Sequence, residues 1–177
     1  REKAKVLIEE YGREFGHIWT TYHPDLPGEV KGKSSNTSWG AKEAKRELID
    51  REGVNIDYVT ITSEDADALL HPSYFACLSY HFLDNPARYT TIWQAILMFY
   101  NNIWKVPLFV RVFSSSASVM LLSTVTRRDR LINFSTYSAS LKMIDAIGYW
   151  DTDVIPEDWR LFFKAFFALE GKVTVEP

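Results

Sequence analysis

Apolar positions along the chain switch repeatedly between helical spacing and short alternating or continuous runs, a pattern that predicts helices interleaved with strands. Ala4, Leu7, Ile8, Tyr11 and Phe15 form a helical stripe that Gly16 stops. His17 to Tyr22, rich in β-branched and aromatic residues, predicts a strand. Pro24 to Ser38 reads as a loop, with Asn36 or Ser38 placed to cap a helix carrying Ala41, Ala44 and Leu48. Tyr58 to Thr62 predicts the next strand. Pro72 opens a helix with Phe75, Leu78 and Phe82 on one face, and Asp84-Asn85-Pro86 closes it. A strand over Tyr89 to Met98, a helical region reaching Arg127, and a strand over Leu131 to Thr136 follow. Ser140 to Ile147 predicts a short helix ended by a left-handed cap at Gly148. The last helix has Pro156 in its first turn and an aromatic stripe of Trp159, Phe162, Phe163 and Phe166, which reads as core or as a contact with a neighbouring helix. Gly171 stops it ahead of a strand at Val173 to Val175. Without repeats or linkers, this alternation predicts one α/β layered domain over residues 1–177.

Composition adds bounds to that picture. Apolar residues make up 46% of the 177 and aromatics 15%, enough for a large core rich in rings. A net charge of −3 gives nucleic acid no attraction. The local basic cluster Arg127-Arg128-Asp129-Arg130 reads as a solvated helix end. The single cysteine, Cys77, excludes an intramolecular disulfide and reads as a buried structural thiol in a reducing compartment. His17, His23, His71 and His81 lack zinc-ligand spacing. The most apolar stretch, Thr91 to Phe113, is interrupted by Gln94, Asn101, Asn102, Lys105, Pro107 and Arg111, so it reads as strand plus helix and not as a membrane span.

The chemistry concentrates in two acidic clusters. Ser63-Glu64-Asp65-Ala66-Asp67 follows a predicted strand, where residues two apart point the same way and can offer two hard oxygen ligands to Mg²⁺ or Mn²⁺. A capped first helical turn from Ala66 explains the same residues without a ligand. Pro156-Glu157-Asp158-Trp159-Arg160 heads the last helix, where the dipole favours carboxylates and keeps a general base ionised. Between Pro24 and the second predicted helix, Lys31-Gly32-Lys33-Ser34-Ser35-Asn36 combines a glycine with two cations, as a phosphate-contacting loop does. An Asp-x-Asp after a strand also fits a phosphatase-like hydrolase using Asp65 and Asp67.

In their order and spacing these pieces resemble the family 2 glycosyltransferases, inverting enzymes of the GT-A fold. The matching elements are the Lys31 to Asn36 loop, Asp65-Ala66-Asp67, Gln94, Tyr137-Ser138-Ala139-Ser140-Leu141, and Gly148-Tyr149-Trp150-Asp151 leading to Glu157-Asp158. They cover about residues 16 to 170. The resemblance implies a GT-A-like mixed sheet flanked by helices, incomplete at the N-terminus, within a fragment of a longer chain. It implies Mg²⁺ or Mn²⁺ on Asp65 and Asp67, with Lys31, Lys33, Asn36 and Asp65 beside a nucleoside-diphosphate sugar. Asp158 matches the catalytic base of the Glu157-Asp158 pair, and Ser138 to Leu141 the acceptor side. The expected reaction is transfer to a saccharide or lipid-linked hydroxyl with inversion. The expected location is the cytoplasmic face of a membrane to which the parent protein is attached. A non-catalytic, transferase-like scaffold is the remaining alternative.

Overall fold

The computed structural model describes residues 2–128 and 131–177, so Asp129 and Arg130 of the basic cluster lie outside the described residues. Four strands form a mixed sheet: β1 (Thr60–Ser63), β2 (Thr91–Gln94), β3 (Tyr137–Ser140) and β4 (Thr174–Glu176). Their order across the sheet is β1-β3-β2-β4. β3 is antiparallel to both β1 and β2, with Ala139 opposite Ile61 on one side and Ile92 on the other. β4 closes the sheet parallel to β2, with Val175 opposite Ile92.

Side-chain alternation along these strands separates two cores. Ile92, Tyr137, Ala139 and Val175 face one side and pack with α5 (Leu141–Ala146), α6 (Glu157–Ala168) and Ala41 of α2 (Lys33–Lys45). Trp93 faces the other side and packs with Leu78 and Phe82 of α3 (Tyr74–Asp84). Ser138 points to that second side, where its hydroxyl meets Thr62 Oγ1 at 2.7 Å and the Tyr74 hydroxyl at 2.9 Å. On the first side Trp150 Nε1 donates to the Tyr137 hydroxyl, 2.6 Å away, so the polar tip of each ring is satisfied inside the core. Two more helices, α1 (Glu2–Tyr11) and α4 (Leu108–Thr124), complete the described fold.

Several elements depart from the reading of the sequence. Residues 17–22 are irregular, because no strand pairs with them; they run against α2, where a Cβ at Gly40 would stand 3.8 Å from Thr21 Oγ1. α2 begins at Lys33, inside the expected loop. Its serines do not oppose the helix because they are tied to carbonyls: Ser34 Oγ donates to Asp151 O at 2.5 Å and Ser35 Oγ to Val30 O at 2.8 Å. The strand expected over 131–136 is displaced to Tyr137–Ser140. Ser135 has φ +58, which breaks an extended run, and pairing starts beyond it.

The core face of α6 is also not the expected one. Leu161 and Ala165 are buried, whereas Trp159, Phe163 and Phe166 are exposed and Phe162 only half-buried. Cys77 is exposed and borders a cavity, because Leu78 and Phe82 set the inward face of α3. Tyr149 and Trp150 are buried in the core, and Gly148 adopts φ +79 at the end of α5, the left-handed cap expected there.

Candidate functional site

The buried stripe of α6 begins with a carboxylate. Glu157, Leu161 and Ala165 are spaced four apart and share one face, so Glu157 is carried inside with the two apolar residues. A buried carboxylate requires a partner. The first residue of α2 supplies it: Lys33 Nζ lies 3.2 Å from Glu157 Oε1. The same ammonium lies 2.5 Å from Asp65 Oδ1, just past the end of β1, and donates to the carbonyl of Ser135 at 3.3 Å. The two acidic clusters, 92 residues apart between Asp65 and Glu157, therefore meet on one lysine.

Ser135 ties the second member of the helix pair into this group. Its Oγ donates to Asp65 Oδ2 at 2.5 Å and its N–H to Asp158 Oδ2 at 2.7 Å. The left-handed backbone at Ser135 aims the N–H at α6 and the carbonyl at Lys33. Behind it, Asn133 Nδ2 donates to the carbonyl of Asp158 at 3.1 Å. Gln94, buried at the end of β2, holds the whole turn. Its amide nitrogen donates to the carbonyls of Ala95 (2.8 Å), Phe134 (3.2 Å) and Thr136 (3.2 Å), and its oxygen accepts from Phe134 N (2.7 Å). Asp151 fastens the base of α6: one carboxylate oxygen accepts from Arg160 Nε and the other from Lys164 Nζ, both at 2.7 Å.

Three carboxylates thus gather about one ammonium. Hydrogen bonds from Lys33 and then Ser135 hold the Asp65 carboxyl below its ordinary range. Burial pushes Asp158 up, and the neighbouring Glu157 adds to it, against the opposing bond from Ser135 N–H. Burial also works against the Lys33 charge, but the bonds to Asp65 and Glu157 and the field of Asp158 outweigh it and raise its pKa. Asp158 Oδ1, Asn133 Oδ1 and Thr136 Oγ1 are buried with no hydrogen-bond partner. Unsatisfied polar atoms are costly, and here they gather around one cluster of charges.

A cavity of about 850 Å³ opens beside this cluster, with Asp65, Asp67 and Ser135 in its wall together with apolar Leu69, Trp93 and Met98. Its size is that of a small-molecule site. Asp67 is exposed, and its carbonyl accepts from Asn101 Nδ2 at 3.1 Å. Asp65 and Asp67 do not lie on an extended segment. Residues 66–67 form a turn, closed by Ala68 N donating to Asp65 O at 3.0 Å, and no helix starts at Ala66. Both nevertheless line the same cavity. Among the described residues no group of three His, Cys, Asp or Glu side chains is placed to hold a metal by itself. Two carboxylates do suit Mg²⁺ or Mn²⁺, which commonly take one or two such ligands and complete their shell with water and substrate phosphate.

The remaining expected residues are elsewhere. Lys31 pairs with Asp25 at 2.6 Å, and with Asn36 it lines a separate hollow of about 220 Å³. Ser138 to Leu141 is buried in and just after the central strand and contributes nothing to the wall of the larger cavity. Ser135 and Asn133, which sequence reasoning passed over, organise the site. A positive φ at a serine has no signature in the sequence, and only the nearby pair of asparagine and serine hinted at polar work there. In comparisons with known proteins, no family model, curated protein or solved structure matches the chain.

Proposed function

We propose that the cluster of Lys33, Asp65, Glu157 and Asp158 is the active site of a metal-dependent glycosyltransferase, which moves a sugar from a nucleoside diphosphate to an acceptor hydroxyl with inversion. The observation that carries this reading is the convergence of two distant acidic segments on Lys33 and Ser135 beside a ligand-sized cavity. The mixed sheet flanked by helices is compatible with a GT-A-like arrangement, which the proposal adopts.

Asp65 and Asp67 would hold Mg²⁺ or Mn²⁺, which when bound offsets the charge of a diphosphate as it leaves. The rest of the chemistry falls to the chain. Asp158 Oδ2 is fixed by the Ser135 N–H, which leaves Oδ1 as the acceptor of a proton. A base whose pKa is raised by burial takes a proton more readily than an exposed aspartate. As the acceptor oxygen forms its bond to the anomeric carbon, the bond to the diphosphate oxygen breaks. The diphosphate departs with the electron pair, and the hydroxyl proton passes to Asp158. Asp158 is not in the wall of the cavity, but Ser135 is, and its N–H donates to Asp158 Oδ2. A diphosphate attracts the Lys33 ammonium, and its departure from Asp65 frees a metal ligand.

The test is Asp158→Asn, assayed for transfer and by calorimetric titration with a nucleoside diphosphate and Mn²⁺. Transfer is expected to fall about 10²- to 10⁴-fold, the usual contribution of a general base, with nucleotide binding nearly unchanged. Retained transfer rules Asp158 out as the base, and absent nucleotide binding by the unaltered protein counts against the enzyme itself.

A further inference from the structure

We propose that the outer face of α4, with Trp104 at its head, docks on the surface of an anionic lipid bilayer. This helix is turned inside out relative to an ordinary surface helix. Its one fully buried residue is Ser118, whose hydroxyl donates to Ser114 O at 2.8 Å and accepts from Phe99 N at 2.9 Å. Leu108, Phe109, Val112, Phe113, Val119 and Met120 occupy the opposite face and are all exposed, Phe109 at 87% and Phe113 at 75%. Their spacing places them on one continuous stripe along a helix about 25 Å long. An apolar stripe of that extent on a folded domain marks a docking surface.

The charges around the stripe select its occupant. From Asn85 to Arg128 the chain contains no Asp or Glu but five basic residues, Arg88, Lys105, Arg111, Arg127 and Arg128, within a protein of net charge −3. Lys105 precedes α4 and the two last arginines follow it, so basic residues flank both ends of the apolar face. Trp104 is 80% exposed beside Lys105, with the Arg111 guanidinium 5.0 Å from its ring centre. Aromatic and basic residues bracketing an apolar face suit the boundary between anionic headgroups and acyl chains. A second copy of the chain fits less well. Packed antiparallel across α4, two copies bring Lys105 toward the terminal arginines of the partner, and packed parallel they bring like residues together, both of which are repulsive. No helix among the described residues is long and apolar enough to cross a membrane, so contact through α4 is contact along the surface.

Because Phe99 also lines the cavity beside Asp65, the strap at the cavity wall is fastened to the inner side of the docking helix. The inference stands apart from sugar transfer, and its test reads no activity. The chain and its Phe109→Asn/Phe113→Asn variant are sedimented with vesicles of phosphatidylcholine containing 30% phosphatidylserine, and with vesicles of phosphatidylcholine alone, at a composition of about one third charged lipid chosen to match an anionic leaflet. The proposal expects binding to the anionic vesicles that weakens with salt, and a loss of at least about tenfold in the variant. Both altered side chains are exposed, so the melting curve should not move, and sedimentation velocity follows self-association in parallel. Four results overturn the proposal: no binding, equal binding to both vesicle types, binding that the variant retains, or a concentration-dependent dimer that the variant abolishes.

Discussion

Replacing Lys33 by methionine removes the cation that lies against both Glu157 and Asp65. Methionine keeps most of the stem, so the change is largely one of charge. At 3.2 Å and an effective dielectric constant of about 20, the Lys33–Glu157 attraction is roughly 5 kcal/mol before the cost of desolvating both groups. Breaking a buried pair from one side costs about 3–5 kcal/mol, because the remaining charge is stranded. Glu157 meets that condition with a side chain only 9% exposed, whereas the Asp65 side chain is 39% exposed and its share is screened to about 1 kcal/mol or less. Lys33 itself is about one third exposed, so the expected loss at pH 8 is about 2–4 kcal/mol, measured by urea denaturation.

The loss should shrink on acidification. In the unaltered protein Asp65 is held below its ordinary range. Its contribution is fully present above the unfolded pKa and disappears only as pH falls through the lower, folded value. Without Lys33, Asp65 loses its main lowering contact, and Asp158 loses the one nearby side-chain charge that opposes its rise. Groups whose folded pKa lies above the unfolded one destabilise the fold as pH rises through that interval and cease to do so below it. The variant should therefore regain stability relative to the parent as pH falls toward and through the carboxylate range. Adding Glu157→Gln to Lys33→Met should restore part of the loss, with a coupling of at least about 1 kcal/mol. A deficit under about 1 kcal/mol at pH 8, or one that does not change with pH, would refute the electrostatic account.

Two further substitutions test the scaffold around the charges. Gln94→Leu removes three bonds to carbonyls and one from an N–H in a buried position, and should lower stability by about 2–4 kcal/mol in thermal unfolding followed by circular dichroism. An unchanged transition would mean that the turn at 133–136 is held by something else. Ser135→Gly and Ser135→Ala both lose the bond to Asp65, but only glycine adopts φ +58 without strain. The glycine variant should exceed the alanine variant by about 1 kcal/mol in urea unfolding, and the reverse order would contradict a left-handed Ser135.

What could be read from the sequence divides along a physical line. Helices and strands set by local spacing were legible: α3, the glycine stop after α5, and the final strand appear close to where periodicity puts them, although of the expected α3 stripe Leu78 and Phe82 are buried and Phe75 is exposed. Elements set by distant partners were not. Residues 17–22 have strand composition but no strand pairs with them, while the serine-rich stretch after Gly32 is helical because its hydroxyls find carbonyls at Val30 and Asp151. The site shows the same division. Carboxylates at a strand end and at a helix head can be picked out one segment at a time, yet each has a sufficient local explanation as a cap. What makes them a site is Lys33. Its position one residue inside α2 depends on the same serine contacts that the sequence conceals. Once α2 starts there, the lysine reaches the buried stripe of α6 and the turn after β1 together, and Ser135 closes the ring from the turn ahead of β3. A surplus of carboxylates around one ammonium is more than two stable helix ends need. A chain stabilised only by its caps would have left Glu157 in water, as Asp67 is, and would not have buried it against Lys33.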